Sequence, residues 1–254
     1  MFEKSKIIYG DCIEKMKSIP NKSIDFICCD LPFGVTNNLK DIVIPFDKLW
    51  NEYERIIKDN GAIALFAQGL FYVDLINSNR KIFKYDLIWD KQLTSGFLNA
   101  KRMPLRVHEQ IAIFYKKQPV YNPQMIEGKP SHPKGTKHLT KDLVNQNYGE
   151  YKSVDTDTNT NLKYPKSIIS FQKPHPSIAR HRTEKSVECI EWLIKTFTNE
   201  GDIVLDNTAG SGTTGEACIN TNREFILIEK GEEEFNSIIN RLNDTINKYS
   251  INIL

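Results

Sequence analysis

The feature that most constrains the fold is the position of a glycine-rich loop in the chain. An apolar run, Ile203–Leu205, leads into the segment Asp-Asn-Thr-Ala-Gly-Ser-Gly-Thr-Thr-Gly, which begins at Asp206. Its glycines at positions 210, 212 and 215 have the G-x-G-x-x-G spacing of a ligand-binding turn between a strand and a helix. Fewer than 40 residues follow Gly215, which is enough for one more helix, strand and helix.

The remaining strands of such a sheet must come from the N-terminal part of the chain, because a nucleotide-binding half needs more parallel strands than the C-terminal end supplies. The glycine-loop strand is then central, and Lys6–Tyr9 continues the sheet beyond Phe225–Ile228. This arrangement places Asp11 where it can bind the amino group of an adenine ring, with the backbone near Cys12 at the ring. Asp11 also suits the N-cap of the following helix, and the two roles are compatible.

An acid at the end of the next strand supports a nucleotide-type ligand. Glu229 lies 19 residues after Gly210, where a carboxylate can accept hydrogen bonds from two ribose hydroxyls. Taken literally, the glycine spacing and this acid indicate a nicotinamide dinucleotide site. The simplest alternative is a structural turn beside a solvated acid. The order of strands in the chain argues against the dinucleotide.

Short β-rich runs alternate with helical stretches, which predicts an α/β fold with a doubly wound, seven-stranded and mostly parallel sheet. The predicted strands are nearly all apolar, as expected when both faces of a sheet are covered; they span 6–9, 25–29, 62–67, 85–89, 111–115, 203–205 and 225–228. The predicted helices span 11–18, 46–58, 69–79, 184–198, 213–221 and 232–249.

A second motif, Asp30-Leu31-Pro32-Phe33, follows the strand that ends at Cys29. An acid, a proline and an aromatic ring at a strand's carboxyl end can clamp a planar base. The carboxylate accepts one hydrogen bond from an exocyclic amino group and a backbone carbonyl accepts the other, which frees the nitrogen lone pair for attack. The face of Phe33 can stack on the base. Alone, an acid before a proline more often marks a turn; the glycine loop in the same chain favours the site.

The charge distribution separates the middle of the chain from its two ends. Residues 116–185 carry 13 Lys or Arg against 6 Asp or Glu, whereas the whole chain has a formal net charge of only +2. Seven of the 11 prolines also fall there. A basic, proline-rich middle is typical of an inserted recognition lobe for a polyanion. The alternatives are a solvated loop or a subunit interface in a homodimer.

Together these features resemble an amino-group DNA methyltransferase of the permuted β type, of the kind found in phages and restriction systems. Residues 30–33 are similar to the family's catalytic D-P-P-Y motif, and residues 206–215 resemble its S-adenosylmethionine loop. The run His-Arg-Thr-Glu-Lys-Ser at 181–186 resembles the H-P-T-E/Q-K segment near the cofactor's methionine part. Further similarities lie at 61–66, 85–91, 94–102 and 106–109. A catalytic motif that precedes the cofactor motif is the order that the strand count requires.

The resemblance implies a Rossmann-like methyltransferase fold with S-adenosylmethionine as cofactor and double-stranded DNA as partner. It assigns catalysis to Asp30, Pro32 and Phe33. With the strand-end residues named above, the expected cofactor-binding set is Asp11, Cys12, His181, Thr183, Lys185, Ser186, Asp206, Gly210, Ser211, Gly212, Thr213, Thr214 and Glu229.

The same resemblance divides the chain into three parts. Residues 1–116 form the catalytic half of the methyltransferase domain, 175–254 its cofactor-binding half, and 117–174 an inserted target-recognition region. Within that region we expect three lysines to contact DNA phosphates: Lys134, Lys137 and Lys141.

Four positions depart from the family pattern. Leu31 replaces the first Pro of D-P-P-Y, as in a common variant of that motif. Phe33 replaces the usual Tyr, which keeps the stacking face but loses a hydroxyl. Arg182 replaces the Pro of H-P-T, and Ala209 stands where a larger apolar residue is common. None of these changes removes the carboxylate, the aromatic face or the glycines, so they bear on affinity and turnover more than on the reaction.

The implied reaction is transfer of a methyl group to adenine N6 after the base is flipped out of the duplex. An N4-cytosine methyltransferase shares the fold, but its catalytic motif typically begins with Ser rather than with an acid such as Asp30. A glutamine-modifying protein methyltransferase carries a similar motif after its cofactor loop, in the opposite chain order. A non-catalytic DNA-binding module is the alternative from a different class.

Cysteine usage and hydropathy indicate the compartment. Five cysteines without C-x-x-C spacing favour reduced thiols in a cytoplasm, bacterial or of a phage-infected host. Cys28 and Cys29 lie on a predicted buried strand, where packing is the expected role; this argues against a cytosine-C5 enzyme, which needs a cysteine nucleophile. No Cys/His cluster predicts a metal, and no apolar run predicts a membrane span or signal peptide.

Overall fold

The structure is a computed structural model that describes residues 2–36, 39–129, 143–145, 149–151, 161–175, 177 and 184–251. The chain forms two compact units, one of residues 1–122 with 166–254 and one of Pro123–Pro165. None of the helices described is long and apolar enough to cross a membrane.

The described strands are, in chain order, β1 (Lys6–Tyr9), β2 (Ile24–Asp30), β3 (Ile57–Ala67), β4 (Phe83–Ser95), β5 (Arg106–Phe114), β6 (Ile126–Glu127), β7 (Leu143–Asn145), β8 (Gly149–Tyr151), β9 (Leu162–Lys163), β10 (Ile168–Ser170), β11 (Ile203–Asp206) and β12 (Glu224–Glu229). The α-helices are α1 (Cys12–Met16), α2 (Phe46–Ile56), α3 (Gly69–Ser78), α4 (Val187–Phe197), α5 (Thr213–Asn220) and α6 (Glu232–Ile251).

The larger unit is built on one sheet with the strand order β1-β12-β11-β2-β3-β5-β4-β10. Neighbouring strands are parallel except at β5, which runs antiparallel to both β3 and β4. The glycine-loop strand β11 is central and β1 lies outside β12, so the placement deduced from chain order is confirmed.

The described part of this sheet has eight strands rather than the seven expected. The extra strand, β10, pairs in parallel with the outer edge of β4, with Ile169 opposite Trp89. Its apolar run is only Ile168-Ile169, too short to stand out from the proline-rich sequence around it. Three residues of the range expected to form the target-recognition region therefore belong to the main sheet.

Helices cover both faces of the sheet, which explains why its strands are apolar throughout. In β2, Phe26 and Cys28 belong to the core cluster beneath α4, α5 and α6, whereas Ile27 and Cys29 belong to the cluster beneath α1, α2 and α3. Phe26 stacks on Phe197 of α4 with ring centroids 5.4 Å apart. Alternate residues of one strand thus hold the two helical layers.

Three strands extend well beyond the lengths that the sequence indicated, and the first of them, β3, was expected at 62–67 but begins at Ile57. β4 and β5 were expected at 85–89 and 111–115, but they continue as a long hairpin in which Ser95 pairs with Arg106. Apart from the buried pair of Lys91 with Glu109, the extension is mostly polar and exposed, so it carries no long apolar run. Backbone hydrogen bonds between the two strands form it.

The smaller unit, Pro123–Pro165, contains two short antiparallel ladders, β6 with β9 and β7 with β8. Ile126 lies opposite Lys163 in the first ladder, and Leu143 lies opposite Tyr151 in the second. The three lysines expected to contact DNA, Lys134, Lys137 and Lys141, lie outside the described residues.

The last glycine of the loop motif has a packing role. Gly215 is the third residue of α5, where this helix packs between β12 and α6. A Cβ atom there would lie 2.7 Å from Cδ1 of Leu227 and 2.9 Å from Cδ2 of Leu242. Both leucines are buried, so neither can move aside into solvent.

We therefore predict that Gly215→Val lowers the free energy of unfolding by about 1–3 kcal/mol, since overpacking shifts the helix from its neighbours. Urea unfolding followed by circular dichroism measures this change. The control, Asn240→Val, puts the same side chain on the exposed side of α6 and should change stability by less than about 0.5 kcal/mol. Equal effects of the two substitutions would contradict the packing role.

Candidate active site

A cavity of about 400 Å³ lies at the carboxyl ends of the central strands. Its lining includes Asp11 after β1, Asp30 at the end of β2, Asn207 after β11 and Glu229 at the end of β12. Connections leave β11 and β2 toward opposite sides of the sheet. A crevice outside the strand ends at such a switch point is the usual ligand site of open α/β sheets.

The glycine loop forms one wall of this cavity. Gly210 and Gly212 have φ angles of +52° and +81°, which L side chains rarely adopt. A Cβ atom on Gly212 would also lie 3.2 Å from the side chain of Ile238. The motif therefore needs glycine at both positions, and the exposed backbone leaves room for a ligand to approach closely.

Glu229 holds the loop to the neighbouring strand end. One carboxylate oxygen accepts a hydrogen bond from the Gly210 amide at 2.8 Å, and the other accepts one from the Gly231 amide at 2.8 Å. Each carboxylate oxygen has a second lone pair. The side chain lines the cavity and can accept further hydrogen bonds from a ligand.

Asp206 is buried under the same loop. The Thr214 hydroxyl donates to Oδ2 at 2.6 Å, and the Thr208 amide donates to Oδ1 at 3.1 Å. Burial raises its pKa to about 7 despite these hydrogen bonds. Asp206 therefore orders the loop and holds charge that a cationic ligand group would stabilise.

Arg241 of α6 contacts this loop through buried polar interactions. It was not among the residues predicted from the sequence. Its guanidinium forms an ion pair with Glu184 at 2.8 Å and a second with Glu216, and it donates to the Ser211 hydroxyl at 3.2 Å. The side chain is only 3% exposed. A signal did exist: Arg241 falls on the apolar stripe of α6, three residues after Ile238, where a lone charge needs buried partners.

The catalytic motif of residues 30–33 lies beside the glycine loop. The Thr208 hydroxyl donates to the Asp30 carbonyl at 3.1 Å, which links the end of β2 to the loop after β11. Pro32 and Phe33 line the cavity. The Phe33 ring stacks on Phe71 of α3 with centroids 4.8 Å apart and an interplanar angle of 28°, so its position is fixed before any base arrives.

The Asp30 carboxylate is buried and asymmetric. Oδ2 forms an ion pair with Nζ of Lys185 at 2.8 Å. Oδ1 is buried and, among the described residues, has no hydrogen-bond partner. Burial raises the pKa of Asp30 above its usual value, and Lys185 opposes that rise. Lys185 therefore holds one oxygen, while the other is left without a partner among the described residues.

Lys185 belongs to a buried ion network that the sequence analysis missed. Its ammonium also pairs with Glu109 of β5 at 2.8 Å, and Glu109 pairs with Lys91 of β4 at 3.2 Å. It lies over the ring of Phe66, 5.1 Å from the centroid. Burial disfavours the Glu109 carboxylate, but the two lysines outweigh it and lower the pKa to about 2. Burial also opposes the charge of Lys185, yet Asp30 and Glu109 raise its pKa.

Asn207 is a second residue that the motif alone did not indicate. Its side-chain oxygen accepts hydrogen bonds from the Tyr53 hydroxyl at 2.5 Å and from the Cys29 thiol at 2.9 Å. Its amide nitrogen is buried and, within the described part of the chain, lacks a partner. The residue also lines the cavity.

The segment after the motif is fastened at the mouth of the cavity. The Asp41 carboxylate accepts hydrogen bonds from the backbone amides of Gly34 at 2.8 Å and Thr36 at 2.8 Å. Lys40 forms an ion pair with Glu234 of α6 at 2.7 Å. These contacts join the catalytic and cofactor sides of the cavity mouth.

A smaller cavity of about 110 Å³ adjoins the first and shares Asp30 and Lys185 with it. The cofactor-loop residues Ser211, Thr213 and Thr214 line it, as do Glu184 and Asp206. Its floor is formed by polar side chains that α4, α5 and α6 hold in place.

The predicted site residues fall into three groups. Asp11 caps α1 by accepting hydrogen bonds from the amides of Ile13 and Glu14, and it lines the larger cavity as well. Ser186 caps α4 and is buried. His181 and Thr183 lie outside the described residues. Gly212 is the N-cap of α5 and lines neither cavity. The remaining predicted residues meet at the two cavities: Cys12, Asp30, Pro32, Phe33, Lys185, Asp206, Gly210, Ser211, Thr213, Thr214 and Glu229.

The thiols next to the site are unreactive. Cys28 and Cys29 are each 1% exposed, and burial raises the pKa of both well above that of a free thiol. Packing rather than nucleophilic attack is their role, as the sequence analysis predicted. Within the described residues, no three His, Cys, Asp or Glu side chains are grouped so as to hold a metal ion.

Two curated relatives match nearly the whole chain. The DNA adenine methyltransferase YhdJ of Escherichia coli is 27% identical over 98% of this chain and 85% of its own length. The type II methyltransferase M.HpaI of Haemophilus parainfluenzae is 28% identical over 96% of this chain and 76% of its own length.

Solved structures show the same fold. A complex of M1.HpyAVI with SAM matches with a TM-score of 0.63 and 24% identity, covering 94% of this chain and 98% of that one. The cytosine-N4-specific PvuII DNA methyltransferase matches with a TM-score of 0.66 and 14% identity, covering 96% and 92%. The sequence model of the N6/N4 DNA methylase family matches residues 24–241. That range includes the catalytic motif, the buried ion network and the glycine loop, and the chain therefore belongs to the DNA methylase family.

Proposed function

We propose that this chain transfers a methyl group from S-adenosylmethionine to N6 of an adenine that is flipped out of duplex DNA. The observation that best supports the proposal is the shared cavity. In it the Asp30 carboxylate, with one oxygen unpartnered among the described residues, lies beside the glycine loop. Reaction and cofactor sites thus open into one space, as a direct transfer between two bound molecules requires.

The residues of the two cavities fit the parts of the cofactor. The open backbone at Gly210 and the carboxylate of Glu229 suit a ribose, with Asp11 and Cys12 nearby for an adenine ring. The polar smaller cavity, with Asp206 and Ser211, suits an amino acid group. His181 and Thr183 complete this proposed set from the segment before α4. When bound, S-adenosylmethionine supplies an electrophilic methyl group on a sulfonium centre.

The chain's own residues then prepare the target nitrogen. The adenine amino group is a poor nucleophile because its lone pair is delocalised into the ring. Oδ1 of Asp30 accepts one of its two N–H groups, and a backbone carbonyl of the 30–33 motif accepts the other, which favours a pyramidal nitrogen. Phe33, braced by Phe71, supplies the face on which the base stacks.

Lys185 has a second role besides the cofactor-side role that the resemblance implied. Its ammonium lies 2.8 Å from Asp30, so it orients the catalytic carboxylate directly as well as bordering the cofactor cavity. Its charge favours the ionised form of Asp30 against the effect of burial. Glu109 and Lys91 fix the ammonium, which makes them positioning residues.

Duplex DNA is the proposed partner, and the basic middle of the chain is the proposed reader. The smaller unit, Pro123–Pro165, lies within the expected target-recognition region 117–174. Lys134, Lys137 and Lys141 are the proposed phosphate contacts in its basic sequence, and such contacts make binding salt-dependent. We place the protein in a bacterial cytoplasm, because its five buried cysteines are free thiols and a cytoplasm keeps thiols reduced.

Cytosine N4 is the second candidate target because it presents the same amino chemistry. Asp30 favours adenine, since the N4-cytosine motif typically begins with Ser. The PvuII enzyme, at 14% identity, supports the fold and not the base. A non-catalytic DNA-binding module would bind DNA without any transfer, which the following experiment detects.

We predict that Asp30→Ala lowers methyl transfer by roughly 100-fold or more, the usual scale for loss of a group that handles a proton in the transition state. Unmethylated DNA is incubated with tritiated S-adenosylmethionine, and the digested nucleosides are separated; wild type should yield N6-methyladenine. Asp74→Ala, on the exposed side of α3, serves as the control. Near wild-type transfer by Asp30→Ala would remove the catalytic assignment, and N4-methylcytosine as product would select the other base.

A second prediction concerns the cofactor wall. Glu229→Ala removes the acceptor that orders the amides of Gly210 and Gly231, and charge-assisted hydrogen bonds are worth roughly 1.5–3 kcal/mol each. The dissociation constant for S-adenosylmethionine should rise by about tenfold or more, as measured by titration calorimetry. Glu233→Ala, an exposed acid on α6, should leave it unchanged. If both variants bound S-adenosylmethionine with the same affinity, Glu229 would not be part of the ribose site.

A third prediction concerns pH. Asp30 must be ionised to accept the target N–H, so turnover should fall as pH drops through its raised pKa. Lys185→Met removes the charge that holds this pKa down and should move the acidic limb of kcat to higher pH. Lys185→Arg keeps the charge and should restore the position of the limb. If the acidic limb of the kcat profile lies at the same pH in Lys185→Met as in wild type, the ionisation of Asp30 does not determine it.

A further inference from the structure

The hairpin between β4 and β5 ends in a tip whose described residues are mostly exposed. The last paired residues are Ser95 and Arg106, and the tip between them contains a 3₁₀ turn over Phe97–Asn99. The tip is reached through the exposed extension of the two strands described above. It projects from the same edge of the sheet as the cavities, because β4 runs parallel to β2 and ends at that edge.

Large apolar side chains are exposed at this tip. Phe97 is 77% exposed and Leu98 is 82% exposed, and Met103 on the other side of the tip is 59% exposed. Single exposed apolar residues are common, but a cluster of three on one short turn is typical of a contact surface. Core packing therefore does not explain these residues.

The tip is also basic. From position 92 to 107 the chain carries Lys101, Arg102 and Arg106 and no Asp or Glu. A surface that joins apolar side chains to positive charge fits a partner with apolar faces and negative charge close together. Stacked base pairs between two phosphate backbones have this chemistry.

The root of the hairpin forms part of the cavity wall. Ser95 lines the larger cavity, as does Gln68. The Arg106 guanidinium donates to the side-chain oxygen of Gln68 at 3.1 Å. A duplex that delivers a base to Asp30 and Phe33 would therefore bring its neighbouring base pairs to the tip.

We propose that the tip, residues 96–105, is a wedge that enters the duplex stack at the place the flipped adenine leaves. Phe97 and Leu98 contact the bases on either side of the gap, and Lys101 and Arg102 hold the flanking phosphates. Extruding a base costs a few kcal/mol of stacking and pairing, and an inserted apolar side chain restores part of that contact. This inference rests on the proposed function, since it needs a base that leaves the helix.

The test compares a double variant, Phe97→Ala with Leu98→Ala, on two synthetic duplexes. Both carry the sequence found methylated by wild type, and they differ only opposite the target adenine, where one has thymine and the other an abasic site. The wedge is needed only where the pair must be opened. We expect single-turnover methylation of the paired duplex to fall by about tenfold or more, and that of the abasic duplex to stay within about threefold of wild type.

Ile239→Ala, which truncates an exposed apolar residue on α6, is the matched control and should match wild type on both duplexes. Lys101→Ala with Arg102→Ala should weaken binding to both duplexes alike and reduce the salt slope by about two units. In that variant an unchanged slope would remove the phosphate contacts from the proposal.

Unchanged methylation of the paired duplex by the Phe97/Leu98 variant would overturn the wedge, and so would an equal loss on both duplexes. Fluorescence of 2-aminopurine at the target position gives an independent reading: the enzyme-induced increase should be smaller in the variant. Absence of transfer by wild type to either duplex would instead overturn the proposed function.

Discussion

The pairing of β2 with β11 is the interaction on which the site depends. These strands come from opposite ends of the chain, yet Leu205 lies opposite Ile27 in the middle of the sheet. Side chains lock the two ends of the pair: the Asp25 carboxylate accepts the Ile203 amide at 3.0 Å, and the Thr208 hydroxyl reaches the Asp30 carbonyl at 3.1 Å. The catalytic carboxylate and the glycine loop are neighbours because their strands are.

A buried ion network sets the electrostatics of that junction. The two negative charges of Asp30 and Glu109 face the two positive charges of Lys91 and Lys185. Lys173 lines the same cavity, where burial and the charge of Lys185 lower its pKa. Buried charges of this kind cost several kcal/mol each to desolvate and are tolerated only when every member is paired. The network therefore links β2, β4, β5 and the segment before α4, and the loss of one member leaves its partner uncompensated. Stability and reactivity are coupled at this point.

Most of the fold was predictable because apolar runs and glycine spacing are local signals. The strands around the glycine loop and the position of β1 followed from them, whereas β10, with only two apolar residues, left too weak a pattern. Within the site, motifs identified Asp30 and the loop. Glu109, Asn207 and Arg241 were missed because their roles arise from partners distant in the sequence. A buried acid on an apolar strand and a lone arginine on an apolar stripe are the signs that single-sequence reasoning can use.

The outer position of β1 has a consequence for synthesis of the protein. β1, at Lys6–Tyr9, leaves the ribosome long before its partner β12, at Glu224–Glu229. During most of translation the nascent chain has β1 without a neighbour and β2 without β11, and unpaired strand edges promote association with other chains. The sheet closes only after β12 has been synthesised. The reversed order of motifs that joins cofactor and catalytic sites thus delays cotranslational folding and makes the nascent chain a client for chaperones that shield strand edges.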